Sequence, residues 1–526
     1  MTEAKTAGRT DSSANGQWTI VWGVLVIALA VRVVFLARPI ADMVGTSMPD
    51  DAFYYFQIAR HVAAGAGSTF DGLDPTNGYH PLWMLLCALM FKVLPGAAAP
   101  IYGALAVGAL FDVASAYLVF VTTRRLSGSF NASLCAMLIY AVGLHQVLLA
   151  LDGLETPVVV FTFLLTAYTC LRVWDSPGDG KRLVLLGALW SMVFLSRTDV
   201  GAFLLPAVLV VGIRAVRHSG FRWAAMAVAA GAAPVLPWVL WNVATFGSMD
   251  QVSGKAYVYW NHRIYMMDHG QSSILPGLVA RAKEMTFGVI AHIMRYTPFG
   301  KPTALLLPLA FVLGIRYRRK QAATAGLMFL FWLIVVPIIG LVLLHGLYRW
   351  MICPHYFAPV AAALLVFIVA GMFTIRAKWV LYVVVGLALA NLCVQFNYVK
   401  PFSADGGYFP WQREFLLRTR EKIDDTFPKG TVIASTDCGI HGYYSPHTVI
   451  NMDCVVNNAC FHAILSGKLL DYLRERGVGA VVINSYHERY ILTRLLPRDC
   501  LEKKTFPWNH SATYYVVRHG PVDSHR

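Results

Sequence analysis

Long apolar runs fill the first 400 residues and constrain the fold of this chain more than any other feature. Of its 526 residues, 57% are hydrophobic and 14% are charged, whereas roughly 25% are charged in ordinary soluble proteins. A soluble globule of this size with so few charges would be very hard to keep in solution, and the abundance of aromatic and β-branched residues excludes disorder. The composition therefore predicts a polytopic membrane protein.

Eleven apolar runs are candidate membrane spans, because a transmembrane helix needs about 20 mostly apolar residues. The first run is too long for a signal peptide and lacks a clear cleavage site, so we expect a retained first span. A twelfth run, 81–95, is interpreted as short, tilted or re-entrant, which gives 11 to 13 spans in total. The eleven runs are 19–37, 100–122, 130–150, 157–171, 182–196, 200–213, 223–243, 302–315, 323–345, 357–375 and 377–396.

Charge density divides the chain into a membrane part and a soluble part. The last 126 residues carry 28 of the 73 charged residues, about twice the density of the rest. We expect a polar N-terminal tail over 1–18, a membrane domain over 19–400 and a soluble domain over 401–526. The soluble domain is predicted to be α/β, with an amphipathic helix over 461–477 that ends at Gly477. Its predicted strands are 431–436, 447–451, 480–485 and 513–518.

The net charge of +15 has its main source in short loops between the apolar runs. Five of these loops hold 14 basic and two acidic residues, so the positive-inside rule places them and the N-terminus in the cytoplasm. The net positive charge is therefore explained by the membrane topology and does not require a nucleic acid partner. The five loops lie at 124–125, 172–182, 214–222, 316–320 and 376–378. Alternation then places on the outer face the loops 38–80, 152–156, 196–199, 245–301 and 348–350 and the tail after 397.

Four cysteines lie in the soluble tail, which the topology places outside the membrane. Four cysteines allow three pairings, and the sequence does not choose among them. No C-x-x-C spacing indicates a metal site. The four are Cys438, Cys454, Cys460 and Cys500.

The first external loop carries an acidic pair, Asp50 and Asp51, at the start of a predicted short helix. Two acids at this position can simply complement the helix dipole. A carboxylate at the membrane surface can also act as a general base on a hydroxyl nucleophile. The aromatic residues Tyr54 and Tyr55 follow in the same helix, and we interpret them as candidate sugar-binding or supporting residues.

Other external turns place polar or ionisable residues between apolar runs. Asn77 and His80 lie in a segment dense in turn-forming residues, which predicts a structured loop. Glu155 lies in the turn LDGLETP, and Arg197 and Asp199 lie in the turn LSRTDV. Turn hydrogen bonds, interfacial anchoring and pairing of Arg197 with Asp199 are the alternatives to a role in binding the acceptor or the sugar.

Basic residues on the outer face oppose the positive-inside trend and therefore need an anionic partner. Lys255 and Arg263 lie in the loop 245–301, and Arg349 and His355 lie in and after the turn 348–350. A lipid phosphate would suit them, because arginine binds phosphate bidentately and lysine acts as a point charge. Ordinary lipid headgroups are the alternative partner.

These features together resemble the GT-C superfamily of integral-membrane glycosyltransferases. The resemblance is carried by DDAFYYF, GAGSTFDG and TNGYHPLW in the first external loop, by the GLET and SRTD turns, and by two stretches of the tail. Those stretches are DCGIHGYYS, from Asp437, and NMD, from Asn451. The pattern is most similar to the bacterial subgroup of arabinofuranosyltransferase-like and aminoarabinose-transferase-like proteins. Related acid pairs usually read Asp-Glu, so the Asp-Asp pair leaves open which acid is the base.

The resemblance implies a glycosyltransferase of the bacterial cytoplasmic membrane with a periplasmic or extracytoplasmic tail. It implies a polyprenyl-phosphate-linked sugar donor, a glycan, lipid or protein acceptor, and inversion at the anomeric carbon. Asp50 would be the base and Asp51 would position the acceptor or exchange roles with it. The leaving phosphate would be stabilised by Lys255, Arg349, His355 and Arg263. Some members use a divalent metal, but two adjacent carboxylates make a poor complete Mg²⁺ site, so we favour a reaction without metal or cofactor.

Two other functions stay open on the sequence alone. A polysaccharide polymerase or ligase of another membrane fold would share the polyprenyl donor without requiring the early acidic pair. A lipid-linked glycan transporter or flippase would favour repeat symmetry and broken helices at mid-membrane. The sequence has no evident repeat, and its external acids cluster at one face, which favours single-sided chemistry.

Overall fold

The computed structural model describes residues 3–269, 296–318, 331–332, 335–336, 339–340, 353–375, 377–403, 406–483 and 498–518, and residues 488, 491, 495 and 496. Only the backbone is described for 3–14, 261–269, 314–318, 354 and 511–512. Over these residues the chain forms a helical domain followed by a small domain with a mixed sheet. The last helix of the helical domain ends at Val399, next to the predicted domain boundary.

The helical domain follows the order of the apolar runs. Its helices are α1 (Glu3–Leu36), α2 (Ile40–Met43), α3 (Asp50–Ala63), α4 (Pro81–Val93), α5 (Ala99–Ser127), α6 (Phe130–Val142), α7 (Leu144–Ala150), α8 (Thr156–Asp175), α9 (Gly180–Ser196), α10 (Thr198–Ser219), α11 (Phe221–Phe246), α12 (Val252–His269), α13 (Thr303–Arg318), α14 (Ala358–Met372) and α15 (Lys378–Val399). A 3₁₀ turn, Pro354–Phe357, precedes α14. Buried residues of α5, α6, α8, α9 and α14 form the central apolar core.

Within the described residues, seven helices are long and apolar enough to cross a membrane. The bent pair α6 and α7 would make an eighth span, and α4 and the apolar part of α13 are shorter. The predicted total of 11 to 13 spans stays a prediction, because the run 323–345 lies almost wholly outside the described residues. The seven are Asn15–Leu36, Ala99–Ser127, Thr156–Asp175, Thr198–Ser219, Phe221–Phe246, His355–Met372 and Lys378–Val399.

Three helical segments differ from simple spans. The run 130–150 is not one straight helix, because α6 and α7 meet at an angle of 60° around Gly143, whose backbone is extended. Glycine has a low helix propensity, which allows the break at this position. The run 81–95 forms a helix of 13 residues, so the prediction of a short element is confirmed. Helix α1 already begins at Glu3, so the predicted polar tail is helical through most of its length.

A buried ion pair joins the first span to its neighbours. The Arg32 guanidinium, which has no exposed surface, donates to the Asp112 carboxylate at 2.5 and 2.8 Å. Tyr140 donates to the other oxygen of Asp112 at 2.6 Å. The guanidinium also donates to the carbonyls of Ala28 and Ala141. These contacts bring α1, α5 and α6 together and satisfy charges that would be costly to bury unpaired.

We predict that Asp112→Leu destabilises the protein by about 3–5 kcal/mol, because it leaves the charge of Arg32 buried without a partner. The double variant Arg32→Leu/Asp112→Leu should recover most of this loss. Denaturant unfolding of the purified protein in detergent measures both free energies. A double variant whose loss equals the sum of the losses of Arg32→Leu and Asp112→Leu would show that the two charges are not coupled.

The tail contains a five-stranded mixed sheet with the order β2-β1-β3-β5-β4. The strands are β1 (Val432–Ser435), β2 (Thr448–Asn451), β3 (Val478–Val482), β4 (Leu501–Phe506) and β5 (Asn509–Val517). Strand β1 is parallel to β2 and β3, and β5 is antiparallel to β3 and β4. The helices are α16 (Pro410–Glu414), α17 (Arg420–Asp424), α18 (Gly439–Tyr444), α19 (Asn458–Leu465) and α20 (Leu469–Glu475), with a π-helical turn Phe415–Thr419 after α16 and a 3₁₀ turn Arg498–Cys500 before β4.

The prediction of an α/β tail is confirmed, with two corrections. The predicted helix over 461–477 is two helices, α19 and α20, because Gly467 has a φ of 71°, which an α-helix cannot include. Gly477, with a φ of 65°, follows the second helix as expected. Strand β4 was not predicted.

The tail packs directly onto the first external loop. Side chains of α3, α4 and α18 share one apolar core, in which Phe53 and Phe56 contact the ring of Tyr443. Gly442 lies against the ring of Phe70, where a Cβ atom would come within 2.3 Å of the ring. The start of α3 is therefore held between the membrane helices and the tail.

Candidate functional site

Asp50 joins the first external loop to the tail. Its carboxylate accepts hydrogen bonds from the backbone N–H groups of Ile440 and Gly439, at 2.7 and 2.9 Å. These N–H groups lie at the start of α18, where a helix leaves its first donors without an internal partner. The backbone N–H of Asp50 donates to the side chain of Gln412 at 3.1 Å. With 6% of its surface exposed, Asp50 is committed to contacts within the protein.

Burial is the main influence on the ionisation of Asp50. It raises the pKa of the carboxyl to about 8, and the charge of Asp51 adds to the effect. The two N–H donors of α18 favour the carboxylate and limit the rise. Asp50 therefore takes up a proton more readily than an ordinary aspartate.

Asp51 lies one residue further along α3 and has a different environment. Its side chain is exposed, because successive residues of a helix point in directions about 100° apart. Burial among the surrounding loops, followed by the charges of Asp437, Asp453 and Glu155, raises the pKa of Asp51 to about 7. Water still reaches this carboxylate, so burial acts on it less completely than on Asp50. Asp51 is thus an accessible carboxylate whose pKa suits proton transfer near neutral pH.

Asp437 and Asp453, both from the tail, complete the acidic surroundings of Asp51. Each follows the carboxyl end of a parallel strand, β1 or β2, and the N–H of Asp437 donates to the Asp453 carboxylate at 2.7 Å. Trp260 of α12 donates to the carbonyl of Asp453 at 2.8 Å. The carboxyl ends of parallel strands are common positions for ligand sites. Both acids lie in the tail motifs DCGIHGYYS and NMD, to which the sequence assigned no role; their position just after two predicted strands was the available signal.

A second polar cluster surrounds Glu155, at the start of α8. Glu155 accepts from Arg197 at 2.5 Å and from the hydroxyl of Tyr55 at 3.0 Å, and His80 lies 3.7 Å away. Arg197 also pairs with Asp199 at 3.0 Å, as the sequence allowed. The structure therefore brings together predicted residues from three loops at one face of the helical domain.

The ionisation of Glu155 follows from this cluster. Burial opposes its negative charge, but the charges of His80 and Arg197 outweigh burial and lower the pKa of Glu155 to about 2. Burial lowers the pKa of His80, so Arg197 is the partner that remains charged at neutral pH. The Glu155–Arg197 pair is accordingly a fixed element beside the exposed Asp51.

Tyr54 and Asn77 support the site through buried hydrogen bonds. The Tyr54 hydroxyl accepts from the backbone N–H of Cys438 at 2.9 Å and from the Asn451 side chain at 3.2 Å. The Asn77 amide donates to Asn242 at 3.0 Å and to the carbonyl of Asp250 at 3.1 Å. Both side chains are buried. They hold loops together, and their role in binding the acceptor or the sugar, or in supporting the site, stays a prediction.

The predicted phosphate-binding residues have different surroundings. Lys255 donates to Ser248 at 2.6 Å and lies 4.0 Å from Asp250. The ring of His355 contacts Tyr356, over which the Arg197 guanidinium lies at 4.3 Å. Arg349 lies outside the described residues, as does the side chain of Arg263. The phosphate site stays a prediction.

Among the residues that the structure describes, no group of three or more His, Cys, Asp or Glu side chains is arranged to hold a metal ion. The Asp453 carboxylate instead accepts hydrogen bonds from the backbone N–H groups of Asp437 and Val455. The preference for a reaction without metal remains a prediction.

We predict that Gly439→Ala disrupts the contact between α18 and α3. A Cβ atom at this position would lie 2.2 Å from the backbone oxygen of Asp50, so the tail must shift away from the loop. We expect a lower melting temperature and a loss of tail docking, measured by thermal unfolding and limited proteolysis. The control is Gly386→Ala on α15, where no atom lies within 4 Å of the added Cβ. Equal behaviour of the two variants would contradict the close packing described here.

Comparison with solved structures gives the relatives of the whole fold. ArnT from Cupriavidus metallidurans in the apo state matches 97% of this chain and 100% of its own, with a TM-score of 0.55 and 13% identity. The chain has the GT-C fold. ArnT from the same organism bound to undecaprenyl phosphate matches 94% of this chain and 97% of its own, with a TM-score of 0.55 and 12% identity. The fold expected from the sequence resemblance is thereby confirmed.

A more distant structural similarity and the comparisons of sequence add little to the assignment of the fold. The Archaeoglobus fulgidus oligosaccharyltransferase in the apo form matches 96% of this GT-C chain and 75% of its own, with a TM-score of 0.48 and 12% identity. A family model described as a domain of unknown function, DUF8728, matches residues 411–518, within the tail. No curated protein matches the chain at a significant level of sequence similarity.

Proposed function

We propose that this protein is a glycosyltransferase that moves a sugar from a polyprenyl-phosphate donor to an acceptor hydroxyl, with Asp51 as the base. The observation that carries the proposal is the division of roles in the acidic pair. Asp51 is exposed beside the charged residues of the tail and of the Glu155 turn, whereas Asp50 is buried against α18. The GT-C fold over nearly the whole chain, and the undecaprenyl phosphate bound by an ArnT of the same fold, support the substrate class.

The proposed step is a direct displacement at the anomeric carbon. The acceptor hydroxyl gives its proton to the Asp51 carboxylate while its oxygen forms the new bond to the sugar. The bond between the sugar and the phosphate oxygen breaks, and polyprenyl phosphate leaves with the electron pair. A base with a pKa near the operating pH is efficient in such a transfer. The displacement inverts the configuration of the anomeric carbon.

Asp50 and Glu155 act in this proposal as positioning residues. Asp50 fixes the start of α3 against the tail and thereby orients the neighbouring Asp51. Glu155 and Arg197 form a buried ion pair beside Asp51. This pair is polar but carries no net charge. This assignment differs from the expectation that Asp50 is the base, because both oxygens of Asp50 already accept hydrogen bonds.

The leaving phosphate needs a cation, and Arg349 remains our candidate. Burial, and then the charge of Asp51, raise the pKa of Cys353 to about 12, so Cys353 lies near the proposed base. Arg349 precedes Cys353 by four residues in the sequence. Lys255, His355 and Arg263 are further candidates. We place the reaction on the outer face of a bacterial cytoplasmic membrane, with the N-terminus inside.

The experiment that tests the function is a transfer assay with the purified protein and a panel of polyprenyl-phosphate sugars. Release of polyprenyl phosphate from one donor, in the presence of candidate glycan, lipid or protein acceptors, is the readout. We expect Asp51→Asn to lower kcat by at least about 100-fold, the usual range for loss of a general base, without changing the melting temperature. Asp471→Asn, at an exposed position of the tail, is the matched control.

Asp50→Asn should behave differently from Asp51→Asn. An amide offers one acceptor oxygen for the two N–H groups of α18, so we expect a lower melting temperature together with a partial loss of rate. An active Asp51→Asn protein and an inactive but fully stable Asp50→Asn protein would reverse the assignment. Turnover that survives loss of both acids would favour a polymerase or ligase, and flipping of the donor without release of polyprenyl phosphate would favour a transporter.

We predict that the transfer rate rises with pH through about 7 and then levels off, because Asp51 must be deprotonated to act. Asp437→Asn removes a neighbouring negative charge that raises the pKa of Asp51, so the midpoint of the rise should move to lower pH. A pH–rate profile of both proteins measures the shift. A midpoint that does not move, or moves upward, would contradict the electrostatic account of the site.

A further inference from the structure

We propose that Cys454 and Cys460 form a disulfide that fixes the tail segment carrying Asp453. The inference rests on the proposed function in one respect, namely that the tail lies on the outer face of the membrane. Disulfides form and persist in such oxidising compartments. The sequence left three pairings of the tail cysteines open.

The geometry selects this pair. The two Sγ atoms lie 3.0 Å apart, and both side chains have no exposed surface. The other tail cysteines have different neighbours: Cys438 lies 3.5 Å from the Asn451 amide, and Cys500 closes the 3₁₀ turn before β4. Closing the gap between Cys454 and Cys460 needs only a small approach of two sulfur atoms that already touch.

The segment between the two cysteines borders the site. Asp453 directly precedes the first cysteine and accepts the hydrogen bond from Asp437. Asn458, just before the second cysteine, donates to Asn77 at 3.0 Å. The carbonyl of Val455 lies so close to Gly78 that a Cβ atom there would come within 2.0 Å of it. A covalent bond across this segment therefore holds both an acid beside Asp51 and the contact with the first external loop.

The backbone at Cys454 has a strained conformation that the disulfide would help to maintain. Cys454 has a φ of 66°, in the left-handed region that is strained for a residue other than glycine. Such a conformation persists where the surrounding structure over-determines it. Cys454 Sγ also lies 3.3 Å from the carbonyl of Met452, so the segment folds tightly around the sulfur pair.

The chemical step is an ordinary thiol–disulfide exchange. One cysteine thiolate attacks the disulfide of a thiol–disulfide oxidoreductase of the outer compartment, which releases one thiolate of the oxidant and forms a mixed disulfide. The second cysteine thiolate then displaces the oxidant. The tail loses two protons and two electrons, and the oxidant is reduced to its dithiol. Because both sulfurs are fully buried in the folded protein, the exchange takes place before the tail packs.

Differential alkylation of the wild-type protein tests the proposal directly. Cells are quenched in acid, free thiols are blocked with N-ethylmaleimide under denaturing conditions, and oxidised thiols are then reduced and labelled with iodoacetamide. Trypsin leaves three cysteines in one peptide, 430–468, so fragment ions must locate each label. We expect iodoacetamide on Cys454 and Cys460 and N-ethylmaleimide on Cys438 and Cys500. A different oxidised pair, or N-ethylmaleimide on Cys454 and Cys460, would overturn the proposal.

Thermal unfolding supplies the second measurement. A reducing agent should lower the melting temperature of the wild-type protein to that of Cys454→Ser/Cys460→Ser, which should not respond to the reductant. Cys500→Ser, at a buried tail cysteine outside the pair, is the matched control and should respond as the wild type does. A double variant that still responds to the reductant would contradict the pairing.

Failure of the proposed topology can be distinguished from failure of the pairing. Ser466→Cys, at an exposed position between α19 and α20, reports the side of the membrane through a membrane-impermeant maleimide on intact cells. Labelling from outside with reduced Cys454 and Cys460 rejects the disulfide alone. Absence of labelling until the cells are opened rejects the outer-face tail, and the disulfide with it. Neither readout depends on detecting sugar transfer.

Discussion

The site depends on one buried carboxylate that bridges the two parts of the chain. Asp50 comes from the first external loop, and its partners, Gly439 and Ile440, begin a short helix of the tail nearly 390 residues later. A buried carboxylate without partners would be strongly unfavourable, and unpaired N–H groups at a buried helix start would be unfavourable as well. The Asp50 carboxylate and the two N–H groups of α18 therefore satisfy each other. Loss of the contact between the tail and the loop would remove these hydrogen bonds from both partners.

The contact has a direct effect on the next residue. Successive side chains of α3 point in directions about 100° apart. Because Asp50 is fixed against the tail, the side chain of Asp51 points toward solvent. The Tyr54 hydroxyl, one turn along the same helix, reaches Cys438 of the tail and prevents rotation of α3. The orientation of the accessible acid is thus determined by hydrogen bonds that the acid itself does not make.

Local patterns in the sequence predicted most elements but not the assignment of the two acids. The apolar runs, the acidic helix start and the strands near 431–436 follow from periodicity and composition. The partners of Asp50 could not be predicted, because they are distant in sequence and are backbone groups without a residue signature. Strand β4 was not predicted because half of its residues, LEKKTF, are charged and most are exposed at the sheet edge. The bend at Gly143 and the break at Gly467 each depend on a single backbone conformation within an otherwise helical pattern.

The position of Asp437 and Asp453 at the ends of β1 and β2 has a consequence for how such chains diverge. The pKa of Asp51 depends on both parts of the chain. The membrane part supplies the acid, and the tail supplies charges that raise its pKa. Replacing one tail by another would exchange those charges while leaving the spans and the first loop intact. The tail therefore adjusts the proton affinity of an acid that it does not itself contain.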